Sequence, residues 1–358
     1  MSLKIANRLK RLRQSLAEKE IDGIFISQPE NRYYLSGFNG SSGYLLITPQ
    51  DAVLATDFRY TEQAGTQATD YQIFRVTSNT SDWFPGLVAE LNPSRLGFEA
   101  RNVTFNMYQQ LSDILNKAHS PIRLVPIDGL VESLRAIKEP AEIELIARAA
   151  AISDKAWQYV EDVVHPGMTE AELAWEIEKF LRQNGSQALP FAVIVAAGPN
   201  SALPHAQPSP RPINTGEPII IDMGARCEGY SSDLSRTICL GAPDDTFKKV
   251  YDTVLGAQLA AIAIIKEGMN GGEADSLART VIEEAGYSEA FGHGLGHGVG
   301  LAIHEQPRLG PNSTEPLTSG MVFSIEPGIY LAGWGGVRIE DLVVIENGKI
   351  KILSKARK

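Results

Sequence analysis

A pattern that occurs twice in the second half of this chain leaves few folds open to it. The first copy reads Thr215-Gly216, five residues, Asp222, then Gly224; the second reads Ser319-Gly320, five residues, Glu326, then Gly328. Each acid follows an isoleucine, Ile221 or Ile325, at the end of an apolar run. A His-x-Gln-Pro lies upstream of each, at His205 to Pro208 and at His304 to Pro307, and a second carboxylate lies downstream, Asp233 or Glu340. A duplicated unit that delivers a histidine and two acids twice implies a site built between two half-domains.

The spacing of the acids suggests how they meet. Asp222 and Asp233 would sit on opposite faces of one uninterrupted strand, because their separation is odd. If the chain reverses near Cys227-Glu228, the two acids face each other across a hairpin, within about 4.5–5.5 Å at Cβ. Glu326 and Glu340 pass the same test with a reversal at Gly333. Four carboxylates in one cleft cannot all remain ionised unaided, and two divalent cations would cancel their charge. The plainer alternative makes them solvated turn residues on separate hairpins.

Phe291 to Glu305 reads FGHGLGHGVGLAIHE and holds three of the six histidines. His293 and His297 have the spacing of a helical two-histidine zinc site. The five alternating glycines exclude a helix. They suit a backbone that passes close to something and presents His297. His304 follows a strand-like run from Leu301 to Ile303, and His119 and His165 receive no role. One histidine with four carboxylates is a hard, oxygen-rich set, suited to manganese, cobalt, iron or zinc rather than to a thiolate zinc site. Cys227 falls at the hairpin turn, and two cysteines make no disulfide framework.

A chain of 358 residues suits two domains. Residues 1–128 alternate helical and strand patterns, with strands at 21–27, 43–48, 52–56, 94–99 and before Val125, and read as an α/β domain. Residues 129–358 open on a long helix from about Ala141 to Val163. A second helix begins at the capping box Thr169-x-x-Glu172, and two more cover about 245–266 and 273–285. Gly-rich strands between them give an α+β domain of helices on a mostly antiparallel sheet. The net charge of −10 argues against a nucleic-acid partner, and no apolar run is long enough to span a bilayer. Ile5, Leu9, Leu12 and Leu16 mark an amphipathic first helix, with a mitochondrial presequence as the alternative. The expected location is the cytoplasm.

The segments IDMGARCEGYSSDLSRT, GHGVGLAIHE, SIEPGIY and GVRIED closely resemble the metallopeptidases of the methionine aminopeptidase, prolidase and aminopeptidase P group. The resemblance implies a pita-bread catalytic domain with pseudo-twofold halves at 129–358 and a creatinase/prolidase-type N-terminal domain at 1–128. It implies two divalent ions, manganese first, with Asp222, Asp233, His297, Glu326 and Glu340 as ligands, and Asp233 and Glu340 bridging. Glu326 would act as general base, His304 and His205 would contact substrate, His293 would stand on the substrate side, and Arg338 would orient the carboxylates. The implied substrate is a peptide with proline in second position. The Tyr34–Gly43 and Thr56–Tyr60 segments favour an Xaa-Pro aminopeptidase. Arg308, where prolidases meet the dipeptide carboxylate, supports the alternative, an Xaa-Pro dipeptidase. A homodimer is expected. Creatinase lacks this ligand set, a non-catalytic peptide-binding protein would have lost it, and a two-metal phosphatase would show no preference for proline.

Overall fold

The computed structural model describes residues 2–358 and divides into two compact units, residues 1–135 and 136–358. Met1, at the start of the expected first helix, lies outside the described residues. The first unit contains α1 (Ser2–Glu18), β1 (Gly23–Ile26), α2 (Pro29–Ser36), β2 (Tyr44–Ile47), β3 (Ala52–Thr56), α3 (Thr61–Gln67), β4 (Gln72–Arg75), α4 (Thr80–Leu91), β5 (Arg95–Glu99), α5 (Phe105–Lys117), β6 (Arg123–Ile127) and α6 (Leu130–Ala136). Its six strands form one sheet in the order β4-β3-β2-β1-β5-β6. Ile5, Leu9, Leu12 and Leu16 are buried along one face of α1, which fixes that helix by its apolar stripe. β4 is the strand the sequence pattern does not announce. It lies at the sheet edge with Gln72 and Arg75 exposed and only Ile73 and Phe74 half-buried.

The division after Arg135 falls beyond the expected boundary at 128. α6 accounts for the difference. Leu130, Val131 and Leu134 are buried, and Arg135 Nη1 donates to Asn31 Oδ1 at 2.7 Å, so this helix closes the first unit.

The second unit contains α7 (Pro140–Val163), α8 (Glu170–Gln183), β7 (Ile194–Ala197), β8 (Pro218–Met223), β9 (Arg226–Cys227), β10 (Tyr230–Ser231), β11 (Leu234–Cys239), α9 (Asp245–Ile264), α10 (Gly271–Glu284), β12 (Gly296–Gly298), β13 (Glu305–Leu309), β14 (Val322–Ile325), β15 (Gly328–Leu331), β16 (Gly335–Arg338), β17 (Asp341–Glu346) and β18 (Lys349–Ile352). Thr169 and Glu172 make the expected capping box, each side chain satisfying an orphan N–H of α8. The strands pair antiparallel throughout, as β11-β8-β7 and as β13-β12-β14-β17-β18, with the ribbons β9-β10 and β15-β16. Each larger sheet has its own helix pair and apolar core. Trp157, Leu173, Ile177 and Leu181 pack on Ile219 and Ile221 in one half. Val250, Val254, Ala274 and Ala278 pack with Phe323 and Ile325 in the other. This is the pita-bread architecture, two like halves with Asp222 and Glu326 at equivalent strand ends. No helix among the described residues is long and apolar enough to cross a membrane.

Candidate metal centre

The two acid-bearing hairpins differ in register by one step. In the second, Ile325 pairs with Asp341 and Gly328 with Arg338, so Glu326 and Glu340 stand opposite each other about Gly333, as their spacing requires. In the first, Asp222 pairs with Ser235 and Leu234 with Met223. The expected direct pairing of Asp222 with Asp233 is therefore corrected: the turn is Glu228-Gly229, both with positive φ (47° and 84°), one step later than Cys227-Glu228. That is the turn conformation a tight hairpin prefers, with glycine where φ must be positive. Asp233 lies two residues from Ser235, so it shares a face with Asp222 on the diagonal, still within side-chain reach.

His297 sits on the short strand β12. A Cβ at Gly296 would strike Ser324 O, and one at Gly298 would strike Gln306 O, so the glycines let this backbone press between β14 and β13. Leu301 to Ile303 are bends rather than the expected strand. Ser231 N–H draws Gly300 O out of the ladder (2.8 Å), and Gly300 N–H turns back to Ala302 O (3.0 Å).

The side chains converge. Asp233, His297 and Glu340 each offer a donor atom, and these atoms lie within 4.8 Å of one another. His297 Nδ1 is 3.1 Å from Gly298 O, which fixes the proton there and turns Nε2 toward the acids. Nε2 is 3.2 Å from Glu326 Oε1 and 3.6 Å from Asp233 Oδ2. Arg338 Nη2 donates to Asp222 Oδ2 at 2.9 Å and Nε to Ser235 Oγ at 2.8 Å. Its Nη1 donates to Tyr330 OH at 3.0 Å, and that hydroxyl is 2.9 Å from His293 Nε2. Ser324 Oγ donates to Glu326 Oε1 (2.9 Å) and accepts from His297 N–H (3.1 Å). Sequence reasoning gave no part to Ser235, Ser324 or Tyr330, although Tyr330 ends the SIEPGIY segment.

The other expected residues lie around this group. The His304 ring centroid is 4.3 Å from that of His297. Arg308 is exposed and pairs with His297 across β12–β13. His205 is exposed, and its charge acts on both His293 and His304.

The electrostatics are those of a site that wants cations. Burial, then the charges of neighbouring acids, push Asp233 and Glu340 well above the carboxylate range. Burial raises Asp222 as well, against the pull of Arg338. Burial opposes ionisation of Glu326 too, but the hydrogen bond and charge of His297 outweigh it and hold Glu326 down to about 2. Asp222 Oδ1 and Glu340 Oε1 are buried without a hydrogen-bond partner. Such orphaned acceptors are costly unless something else meets them. Five donors of this type fit hard or borderline divalent ions.

Residues 144–347 match the model of metallopeptidase family M24, and residues 8–137 match the creatinase/prolidase N-terminal domain. The solved Xaa-Pro dipeptidase of Bacillus anthracis is 40% identical, with a TM-score of 0.95 over 99% of this chain and 98% of its own. The Xaa-Pro dipeptidase of Pyrococcus furiosus is 36% identical, covering 98% of each chain. The X-Pro aminopeptidase structure from Thermotoga maritima is also 36% identical, with a TM-score of 0.87 over 96% of this chain and 98% of its own.

Proposed function

This chain belongs to metallopeptidase family M24, whose members bind divalent metal, and on that premise we propose that it is a dinuclear exopeptidase cleaving Xaa-Pro bonds, with dipeptides preferred. The observation that carries the reading is the convergence of Asp233, His297 and Glu340 beside two orphaned carboxylate oxygens. Asp222, Asp233, His297, Glu326 and Glu340 would hold two ions, manganese first, with cobalt, iron and zinc as substitutes. When bound, such ions polarise a scissile carbonyl and bring the pKa of water toward neutrality.

The remaining work falls to this chain's own side chains. Glu326, ionised and held by Ser324 and His297, is the base that takes the proton of the attacking water. Arg338 holds Asp222 in place through its Nη2. His304, lowered in pKa by burial and then by the charge of His297, faces the substrate as a neutral imidazole, with His205 beside it. His293 is held on the substrate side by Tyr330. An Xaa-Pro bond has no N–H and a fixed φ, so recognition rests on shape and on the charged ends of the substrate. Arg308, exposed on the strand opposite His297, is suited to the carboxylate of a dipeptide. Two similar proteins that are Xaa-Pro dipeptidases support the same preference.

The second reading, an Xaa-Pro aminopeptidase, is favoured by the Tyr34–Gly43 and Thr56–Tyr60 segments and by the Thermotoga relative. A cytoplasmic homodimer completes the proposal. The test is a matched pair of substrates, an Xaa-Pro dipeptide and an Xaa-Pro-Xaa tripeptide, assayed with Mn2+ or Co2+. Faster dipeptide cleavage that chelators abolish is expected. Faster tripeptide cleavage moves the reading to aminopeptidase, and activity on phosphoesters with none on either peptide overturns it.

A further inference from the structure

The loop that carries His304 has no hydrogen-bonded ladder of its own. Leu301 to His304 run as bends between β12 and β13, and His304 is exposed. The start of this loop is tied by the two backbone bonds of Gly300. Its far end is tied by a side chain. Glu305, next to His304, turns inward until its side chain is 5% exposed, and its Oε1 lies 2.8 Å from Nζ of Lys138, whose side chain is 1% exposed. A Cβ at Gly300 would run into the same carboxylate, so the loop folds directly over it. Lys138 is itself fixed by backbone: its N–H donates to Gly320 O at 2.9 Å. Its neighbour Ile137 bridges to Met321, at the entry to the strand that leads to Glu326.

A buried pair of this kind does little for net stability, since desolvating two charges offsets most of their attraction. What it supplies is one geometry in place of several. We propose that Lys138 is a positioning residue for peptide hydrolysis: through Glu305 it sets where the His304 imidazole stands relative to His297 and the acids. The inference rests on the reading of His304 as a substrate-facing group. Lys138 never touches substrate. It acts by holding the residue next to the one that does.

The test uses Lys138→Met, Glu305→Gln and the paired change Lys138→Met/Glu305→Met, each on the natural background and on His304→Ala, in the metal-loaded enzyme. Lys138→Met is expected to lower kcat by about 10- to 100-fold, the cost of a small misplacement, with metal content unchanged. On His304→Ala the same change is expected to cost less than about twofold, because nothing remains to misplace. The paired change removes the unpaired buried charge, so melting temperature recovers while activity stays low; a purely structural role would restore both. Equal losses on the two backgrounds, or full activity in the paired variant, would overturn the proposal. If Lys138→Met fails to fold, Glu305→Gln is scored by the same comparison. The imidazole resonances of His304, read without substrate, are expected to shift in Lys138→Met but not in Arg308→Ala. That readout survives even if the substrate has been misread, and unshifted resonances would sink the inference by themselves.

Discussion

Glu340 and Asp341 are consecutive, both almost fully buried, and chemically alike, yet they feed two acidic regions built on opposite principles. Strand alternation sends them to opposite faces. Asp341 finds cations and donors: Arg236 Nη2 at 2.7 Å, Lys358 Nζ at 2.8 Å and Gln258 Nε2 at 3.1 Å. Arg236 is satisfied in turn by the carbonyls of Ser235, Ala356 and Arg357. Glu340 finds Asp233, Asp222 and Glu326, and its Oε1 has no hydrogen-bond partner. In the first unit, Glu99 repeats the Asp341 solution with neutral donors. Its Oε2 accepts from Ser27 N–H (2.6 Å) and Gln28 N–H (2.7 Å), and its Oε1 from Asn31 Nδ2 (2.6 Å). Structural acids come with their compensation built in. Acids gathered for chemistry come with one another, and the compensation must arrive from outside.

Neutralising the two neighbours separately should give opposite results. Glu340→Gln is expected to lower kcat/KM by about a thousandfold or more, about 4 kcal/mol of barrier. In chelator it should melt no lower than the parent, because it removes one of several repelling charges. Asp233→Asn should behave the same way. Asp341→Asn should do the reverse, costing about 3–5 kcal/mol of stability by leaving Arg236 buried and poorly paired, while activity per folded molecule persists. Denaturant unfolding alongside peptide assays checks both. Similar stability losses at 340 and 341 would erase the distinction.

A smaller effect sharpens it. Arg338 reaches into the acid cluster with its guanidinium, and it holds Asp222 rather than the acids nearest His297. Arg338→Met should therefore weaken metal binding by about 10- to 100-fold, the usual cost of losing a partner that orients a ligand. Calorimetric titration with Mn2+ measures this directly. An unchanged affinity would mean that Asp222 is positioned by its strand alone.

How much of this was legible in the sequence depended on whether the signal was local. The duplicated Thr/Ser-Gly, acid, Gly pattern, the glycines around His297 and the capping box at Thr169 each declare themselves within a few residues, and the first two mark where the candidate site residues lie. The register of the first hairpin did not follow from the acids, because the turn chemistry of Glu228-Gly229 overrode the symmetric midpoint. β4 was hidden because an edge strand carries little apolar alternation. α6 is not legible locally because its partners lie far off in sequence: Arg135 and Glu132 bond to Asn31, and Leu134 O accepts from Tyr34 OH. Ser235, Ser324, Tyr330 and Lys138 escaped notice for one reason: their importance lies in what they touch across the fold, and common residue types carry no label for that.

The smallest effect separates the two kinds of acid by pH. In the metal-free protein Asp233 and Glu340 are held high by burial and by their neighbours' charge. Glu99 is held high by burial against the hydrogen bonds of Asn31, Gln28 and Ser27. An acid with a higher pKa folded than unfolded takes up a proton on folding. Its stabilisation is complete below the unfolded pKa and is lost as pH rises through the folded one. His297, buried but raised by Glu326, has the same sign. His293 and His304, lowered by burial, act oppositely, but only as pH falls through about 6.5. These raised carboxyls should therefore lift the melting temperature of the chelated protein as pH falls, with His293 and His304 opposing them below about pH 6.5. With saturating Mn2+ the slope should reverse, because the ligands must shed their protons to bind. Glu99→Gln should leave that reversal intact, whereas Asp233→Asn should blunt it. A melting temperature that moves the same way with pH in chelator and in Mn2+ would mean that the metal does not compensate these acids.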